Sequence, residues 1–410
     1  MEITIVTQDT RGGVQPYAAL ARALTAAGHA VRAVAPADYA WLFERQGVPC
    51  LRLDGMSGPQ AREVALRAQK EGLGGLRAAS QAISRMVPAW AVAMREFAAG
   101  SDVVTGGVGG AVLGRPVAAA IDATWVWSQL QPVGLFNPAY PGALVADLPP
   151  ATGLAGRIVG QAITEAAVRL PFLPLGQAAR RALRVRAGSL RSARGAVYGI
   201  SPRVIEAPPR RRDLLVAGYW FDDTDPNTLP PEVEAFLAAD DDPAISVGFG
   251  SMVTGDVAGL TSLIEEAARN AGVRVVLITG GGALAAAPGA DASRTLAVDS
   301  IPHAALFHRT AANVHHGGAG TTASALAAGV PGVVVPFGAD QPFWARRAHG
   351  LGVSPRGLPV RSLTPDGLAG AIREALTDAA MRQRAADLGR HLRAEDGTRV
   401  AADWFGRLAA

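Results

Sequence analysis

At 410 residues the chain is too long for one ordinary hydrophobic core, and two domains of roughly 200 residues each are the natural expectation. Apolar content of 49% with 18% charged residues excludes a disordered chain, and the single cysteine, Cys50, excludes an intramolecular disulfide or a multi-cysteine zinc site. The net charge is only +4 and Lys70 is the sole lysine among 39 basic residues, so the arginine bias points to a GC-rich genome rather than to nucleic acid.

The start, Met1-Glu2-Ile3-Thr4-Ile5, reads as a strand and not as a secretory signal. The most apolar long run, Ile158 to Leu175, is interrupted by Glu165 and Arg169, so no integral membrane span is expected. A cytoplasmic location follows as the expectation.

In chain order, Ile3 to Thr7 is a strand, Tyr17 to Ala27 an amphipathic helix stopped at Gly28, and Ala30 to Ala35 a second strand. That spacing is a βαβ unit and hence a parallel sheet. Tyr39 to Gln46 reads as helix, Pro59 to Ala99 as helix broken near Pro88, and Asp102 to Thr105 as strand, with helix-compatible and apolar stretches onward to Leu190. Arg194 to Ser201 holds a strand before a proline- and arginine-rich segment, where the boundary is placed. The second half restarts at Leu214 to Gly218. It continues with strands at Ala244 to Phe249, Val273 to Thr279, Leu296 to Val298, Ala312 to His315 and Gly332 to Val335, a helix at Leu260 to Asn270, and helices from Pro365 to Ala410. The expected division is 1–205, 206–390 and a C-terminal stretch 391–410 packing back on the first domain. Each half is a doubly wound α/β sheet, with a ligand crevice at the carboxyl ends of its strands and an active-site cleft expected between the halves.

One stretch carries the chemistry: Val314-His315-His316-Gly317-Gly318-Ala319-Gly320-Thr321-Thr322. An apolar run enters, a glycine and hydroxyl loop follows, and an alanine-rich helical pattern leaves. Free amides at a helix N-terminus are a ready phosphate site, and glycine lets an anion approach the backbone. His316 would add a charge-assisted hydrogen bond to a diphosphate, and Asp340-Gln341 follows one βα unit later. The plainer reading is a structural glycine turn with core histidines.

These residues resemble the metal-independent GT-B glycosyltransferases, in particular the group with macrolide, glycopeptide and sterol glycosyltransferases. The resemblance also rests on Gly329-Val330-Pro331, Pro336-Phe337-Gly338-Ala339-Asp340-Gln341-Pro342, Gly248-Phe249-Gly250-Ser251-Met252, Ala217-Gly218-Tyr219-Trp220-Phe221, Ile301-Pro302-His303 and Thr10-Arg11-Gly12-Gly13. The stretch from Leu130-Gln131-Pro132 through Phe136-Asn137-Pro138 looks like that group's acceptor-side loop.

The resemblance implies two Rossmann-like domains and an inverting transfer of a hexose or deoxyhexose from a UDP- or dTDP-sugar to a lipophilic acceptor such as a polyketide or sterol. No metal or other cofactor is implied. His316, Gly318, Ala319, Gly320 and Thr321 would hold the donor diphosphate, with Ser251 closing the other side. Ile301 and His303 would meet the nucleobase, Asp340 and Gln341 the sugar hydroxyls, and Thr10 and Gly12 would also face the donor. Taken singly, Ser251 is equally a helix cap and His303 a loop histidine.

One position departs from the group. Its usual Arg-Gly-Asp loop, whose aspartate serves as the base, has Gly13 at the third place. Asp9 and, further on, Asp122 are the candidate replacements, with an acidic acceptor hydroxyl or loss of this catalytic step as the third reading; a loop carboxylate bonding nearby amides is the alternative for Asp9. Gly13 also keeps open a catalytically impaired, nucleotide-binding auxiliary subunit. An NAD-dependent oxidoreductase ranks lower, because the first turn lacks Gly-x-Gly-x-x-Gly. Arg180, Arg181, Arg184, Arg186, Arg191 and Arg194 form either a solvated helix face or a patch for an acidic acceptor or a peripheral membrane contact.

Overall fold

The computed structural model describes residues 1–408 apart from positions 9, 56–72, 136, 138, 146–153, 191, 209–210, 212, 223–227, 240–241, 251, 253–255, 281 and 287–290. The chain divides into two compact units. The first comprises Met1–Gly142, Thr152–Asp222 and Asp396–Ala410; the second comprises Ala143–Ala151 and Asp223–Glu395.

The first unit is built on a seven-stranded sheet: β1 (Glu2–Val6), β2 (Ala30–Pro36), β3 (Cys50–Leu53), β4 (Val103–Gly106), β5 (Thr124–Gln129), β6 (Ala196–Tyr198) and β7 (Leu214–Val216). The order is β3-β2-β1-β4-β5-β6-β7, and every pair is parallel. Its strands are apolar along their length because helices cover both faces. On one face Ile3, Ile5, Leu20, Leu24 and Phe43 pack with Ala401, Trp404 and Phe405 from the helix Gly397–Leu408. On the other, Val6 and Trp125 pack with Trp90, Met94, Val117, Leu175 and Ala179.

Several expectations change here. Leu214–Val216 does not open the second half: it pairs with β6 as an edge strand of the first sheet, and the first unit runs to Asp222. The chain end divides differently as well, because residues up to Ala394 complete a helix of the second unit and only Asp396–Ala410 joins the first. The helix Leu73–Phe97 passes through Pro88 without a break. Proline there removes one donor, but Val87, Trp90, Ala91 and Met94 bury a stripe at helical spacing across the site, and that packing outweighs the loss. The first helix begins at Arg11, not Tyr17, placing Gly12 and Gly13 in its first turn and Pro16 inside it. Strands β3 and β5 had no clear alternation to reveal them.

The second unit is a five-stranded parallel sheet: β8 (Ala244–Gly248), β9 (Arg274–Ile278), β10 (Thr295–Val298), β11 (Asn313–His315) and β12 (Gly332–Val334), in the order β10-β9-β8-β11-β12. Numbered within each sheet, the two units share the doubly wound order 3-2-1-4-5. The direction of winding reverses between β1 and β4 in one and between β8 and β11 in the other.

Arg274 opens β9 almost fully buried, at 2% exposure. Its guanidinium donates to the carbonyls of Phe236, Leu237 and Asp242 and lies 5.1 Å from the Phe236 ring centroid. It thus adds donors at the last carbonyls of the helix Pro231–Ala238, where the Phe236 carbonyl also accepts the Ala239 amide at 3.4 Å. Replacing Arg274 with Met removes those donors from the carbonyls of Phe236, Leu237 and Asp242. We expect a loss of about 3 kcal/mol in unfolding free energy. A change below about 1 kcal/mol in urea denaturation would show that this cap contributes little.

Candidate functional site

Parallel β8, β9, β10, β11 and β12 all point their carboxyl ends to one edge of the second unit. Gly250 and Met252 follow β8, Gly280 follows β9, Ile301 and His303 follow β10, His316 to Thr321 follow β11, and Asp340 and Gln341 follow β12. Residues far apart in sequence are therefore brought to a single sheet edge by topology alone.

The centre of that edge is the turn after β11. Gly317 has φ +87, a left-handed conformation that a side chain would strain, and a Cβ there would lie 2.7 Å from Val334 and 3.2 Å from the Gln341 carbonyl oxygen. His315, fully buried, accepts the Gly317 N–H on Nδ1 at 3.1 Å and pins the turn. The chain then enters the helix Ala319–Ala328, whose N-cap, Gly318, offers no side-chain cap. The amides of Ala319, Gly320 and Thr321 have no intrahelical acceptor, and the helix dipole adds partial positive charge to them.

His316 lies against this N-terminus at the winding reversal. A Cβ on Gly318 would fall 2.4 Å from its Nε2, and one on Gly250, across the reversal, 3.2 Å from its Cε1. Its Nδ1 is buried and has no hydrogen-bond partner among the described residues, as is true of Thr322 Oγ1. Burial, reinforced by His303, pushes the His316 pKa down to about 4. The imidazole of the unliganded chain is therefore neutral at pH 7, and it offers a diphosphate a neutral N–H donor beside a positive helix end. For His315, burial with the neighbouring His316 and His303 lowers the pKa to about 3. The plain reading as a core histidine applies to His315.

Around this centre, Ile301 is buried and His303 stacks on Phe307 with centroids 4.5 Å apart. Asp340 accepts from the Trp344 indole N–H at 3.0 Å, and burial raises its pKa above the usual carboxylate value, partly offset by that bond. Gln341 is turned inward. Its Oε1 accepts the Phe337 and Gly338 amides at 2.7 and 3.3 Å, and its Nε2 lies 3.3 Å from the Met252 sulfur. It holds the loop that presents Asp340; sequence reasoning did not anticipate that task, nor the turn-pinning role of His315.

In the first unit, Thr10 caps the helix Arg11–Ala26 by backbone position and Gly12 is exposed in its first turn, both beyond the carboxyl end of β1. Asp9 and Ser251, and Phe136 and Pro138 of the expected acceptor-side loop, lie outside the described residues. Asp122 does not join Thr10 and Gly12. It occupies the turn before β5, at the amino end of the sheet, with φ +61, which a short polar side chain tolerates. There it lines a cavity of about 330 Å³ with Arg115, Ala118 and Trp125, at the opposite edge of the sheet from the winding reversal's carboxyl side. This placement removes Asp122 as the base.

Residues 271–401, within which the His316 turn falls, match the family described as erythromycin biosynthesis protein CIII-like, C-terminal domain. Over its full length the chain superposes on the crystal structure of the glycosyltransferase VinC in complex with dTDP, with a TM-score of 0.64, 18% identity, and coverage of 100% of this chain and 99% of that one. The chain has the GT-B fold. Among curated proteins this GT-B chain is 42% identical over 212 residues to O-mycaminosyltylonolide 6-deoxyallosyltransferase of Streptomyces fradiae, covering 50% of this chain and 47% of that protein. It is also 28% identical over 431 aligned positions to sterol 3-beta-glucosyltransferase of Aspergillus clavatus, covering 98% of this chain and 29% of that protein. The chain thus spans about half or less of the length of these curated relatives.

The buried histidines of this GT-B site make stability depend on pH. Each has a folded pKa below its ordinary value near 6.5, so the unfolded chain binds more protons, and the stabilisation present above about pH 6.5 is lost as pH falls toward about 4. The expected slope is about 1.4 kcal/mol per pH unit for each histidine. Urea denaturation of a His315→Asn/His316→Asn double variant between about pH 6.5 and 5 should show a flatter slope than the parent. Parallel slopes would place the protons elsewhere.

Proposed function

We propose that this chain is an inverting, metal-independent glycosyltransferase that moves a hexose or deoxyhexose from a UDP- or dTDP-sugar to a lipophilic natural-product or sterol acceptor. The observation that carries the reading is the uncapped helix N-terminus at Gly318–Thr321, with the unpartnered His316 Nδ1 beside it. In this reading the amides and His316 take up charge as the diphosphate departs, the role that makes a resident cation unnecessary. Asp340 engages the sugar hydroxyls, with Gln341 fixing its loop. Ile301 and His303 face the base, and Thr10, Gly12 and Ser251 complete the donor contacts. The similarity to a 6-deoxyallosyltransferase and a sterol glucosyltransferase, and the dTDP bound by VinC, support this donor and acceptor class.

Attack of an acceptor hydroxyl on the anomeric carbon, opposite the departing diphosphate, forms the glycosidic bond, breaks the sugar–phosphate bond and inverts the centre. The hydroxyl proton needs an acceptor, and Gly13 cannot be one. Asp9, immediately before the helix-capping Thr10, is the proposed base, and a cytoplasmic site of action suits soluble nucleotide-sugar donors.

The test is mass spectrometry of products from UDP-glucose and dTDP-glucose with a panel of macrolides, sterols and phenols. The parent should add one hexose, His316→Ala should cut the rate by about a hundredfold, and Asp9→Ala should abolish transfer while still binding UDP or dTDP. No adduct from the parent or from Gly13→Asp, despite nucleotide binding, would overturn the enzymatic reading. Persistent transfer by Asp9→Ala would remove that residue as the base.

A further inference from the structure

The helix Leu154–Arg169 of the first unit is inside out. Its inward face is polar: the Gln161 amide donates to the Asn137 and Tyr140 carbonyls, Glu165 accepts the Gly134 amide, and Thr164 is buried. Its outward face is apolar. Ile158, Val159 and Ile163 are 50%, 56% and 45% exposed, with Ala155, Ala162 and Ala166 exposed between them on the same side of the helix. Leu170, Phe172 and Leu173 continue the apolar surface beyond the helix end, each at least 41% exposed.

The next helix, Leu173–Ala182, turns this surface basic. Leu175 and Ala179 anchor it in the core, followed by Leu183, so its outward stripe runs from Leu173 through Gln177 to Arg180. Arg180, Arg181, Arg184 and Arg186 line a shallow groove of about 380 Å³ there. The charge of the chain is concentrated in this segment. Six arginines against one glutamate give residues 154–186 a net +5; subtracted from the whole chain's +4, this leaves −1 for all the rest.

A solvated helix face has no use for exposed branched aliphatics, and a binding surface for a neutral partner has none for so local an excess of charge. Isoleucine, valine, leucine and phenylalanine beside arginines are the composition of a surface that enters the interfacial layer of an anionic bilayer: the apolar groups reach the acyl boundary and the guanidinium groups meet lipid phosphates. Among the described residues no helix is long and apolar enough to cross a membrane, so the segment lies on the surface rather than spanning it. We infer that residues 154–186 dock this protein on anionic phospholipid membranes.

Flotation of the full-length protein with phosphatidylcholine vesicles, with and without phosphatidylglycerol, tests this. Binding should require phosphatidylglycerol and weaken with added salt. Val159→Gln/Ile163→Gln and Arg181→Gln/Arg186→Gln should each reduce the bound fraction about tenfold or more. All four side chains are exposed, and circular dichroism melting checks that the variants remain folded. Equal binding to both vesicle types, or binding indifferent to both variants, would overturn the inference. So would a dimer in light scattering that Val159→Gln/Ile163→Gln dissociates without any vesicle binding, because the apolar face would then be covered by a second copy.

Discussion

The candidate site depends on one hydrogen bond, from the Gly317 amide to His315 Nδ1. It bends the chain immediately after β11 into a left-handed turn that only glycine occupies without strain, and so aims the following helix with its amides uncovered. Everything assigned to the diphosphate follows from that bend. His315 can serve because burial keeps it neutral, leaving Nδ1 free to accept; a protonated ring would offer a donor to a donor. The interior thus fixes the charge state of one histidine, and that charge state fixes the geometry of the loop.

Burial does something different to the two groups next along the edge. His316 is also held neutral, but its free Nδ1 has no acceptor or donor opposite it within the described residues, a cost that the folded chain carries and a ligand would remove. Asp340 is pushed toward its protonated form by burial while the Trp344 indole steadies its ionised form. Polar groups left incompletely satisfied at the edge of an otherwise apolar sheet mark where binding energy is stored.

Much of this was legible in the sequence. Apolar runs bounded by glycine gave most strands to within a residue or two, and the sheet edge carrying the site followed from the parallel βαβ rule once β11 was recognised. What escaped was decided by tertiary packing. Pro88 reads as a break, yet Trp90 and Met94 hold its helix together. Leu214–Val216 is too short to announce which sheet it joins. Gln341 belongs to a motif suggesting a sugar contact, and only three-dimensional geometry shows its amide turned onto the Phe337–Gly338 backbone. Asp122 lay after an apolar stretch, and its one-dimensional position could not tell the amino from the carboxyl edge of the sheet.

The return of the C-terminal helix Gly397–Leu408 to the core of the first unit has a consequence for modularity. The second unit is not a tail attached to the first but largely a guest inserted into it, entered after Asp222 and left before Asp396. Recombination at a single junction would carry Ala401, Trp404 and Phe405 away from the strands they cover and leave two defective cores. Exchange of the second unit between chains of this architecture therefore requires two cuts, with the last fifteen residues inherited from the host.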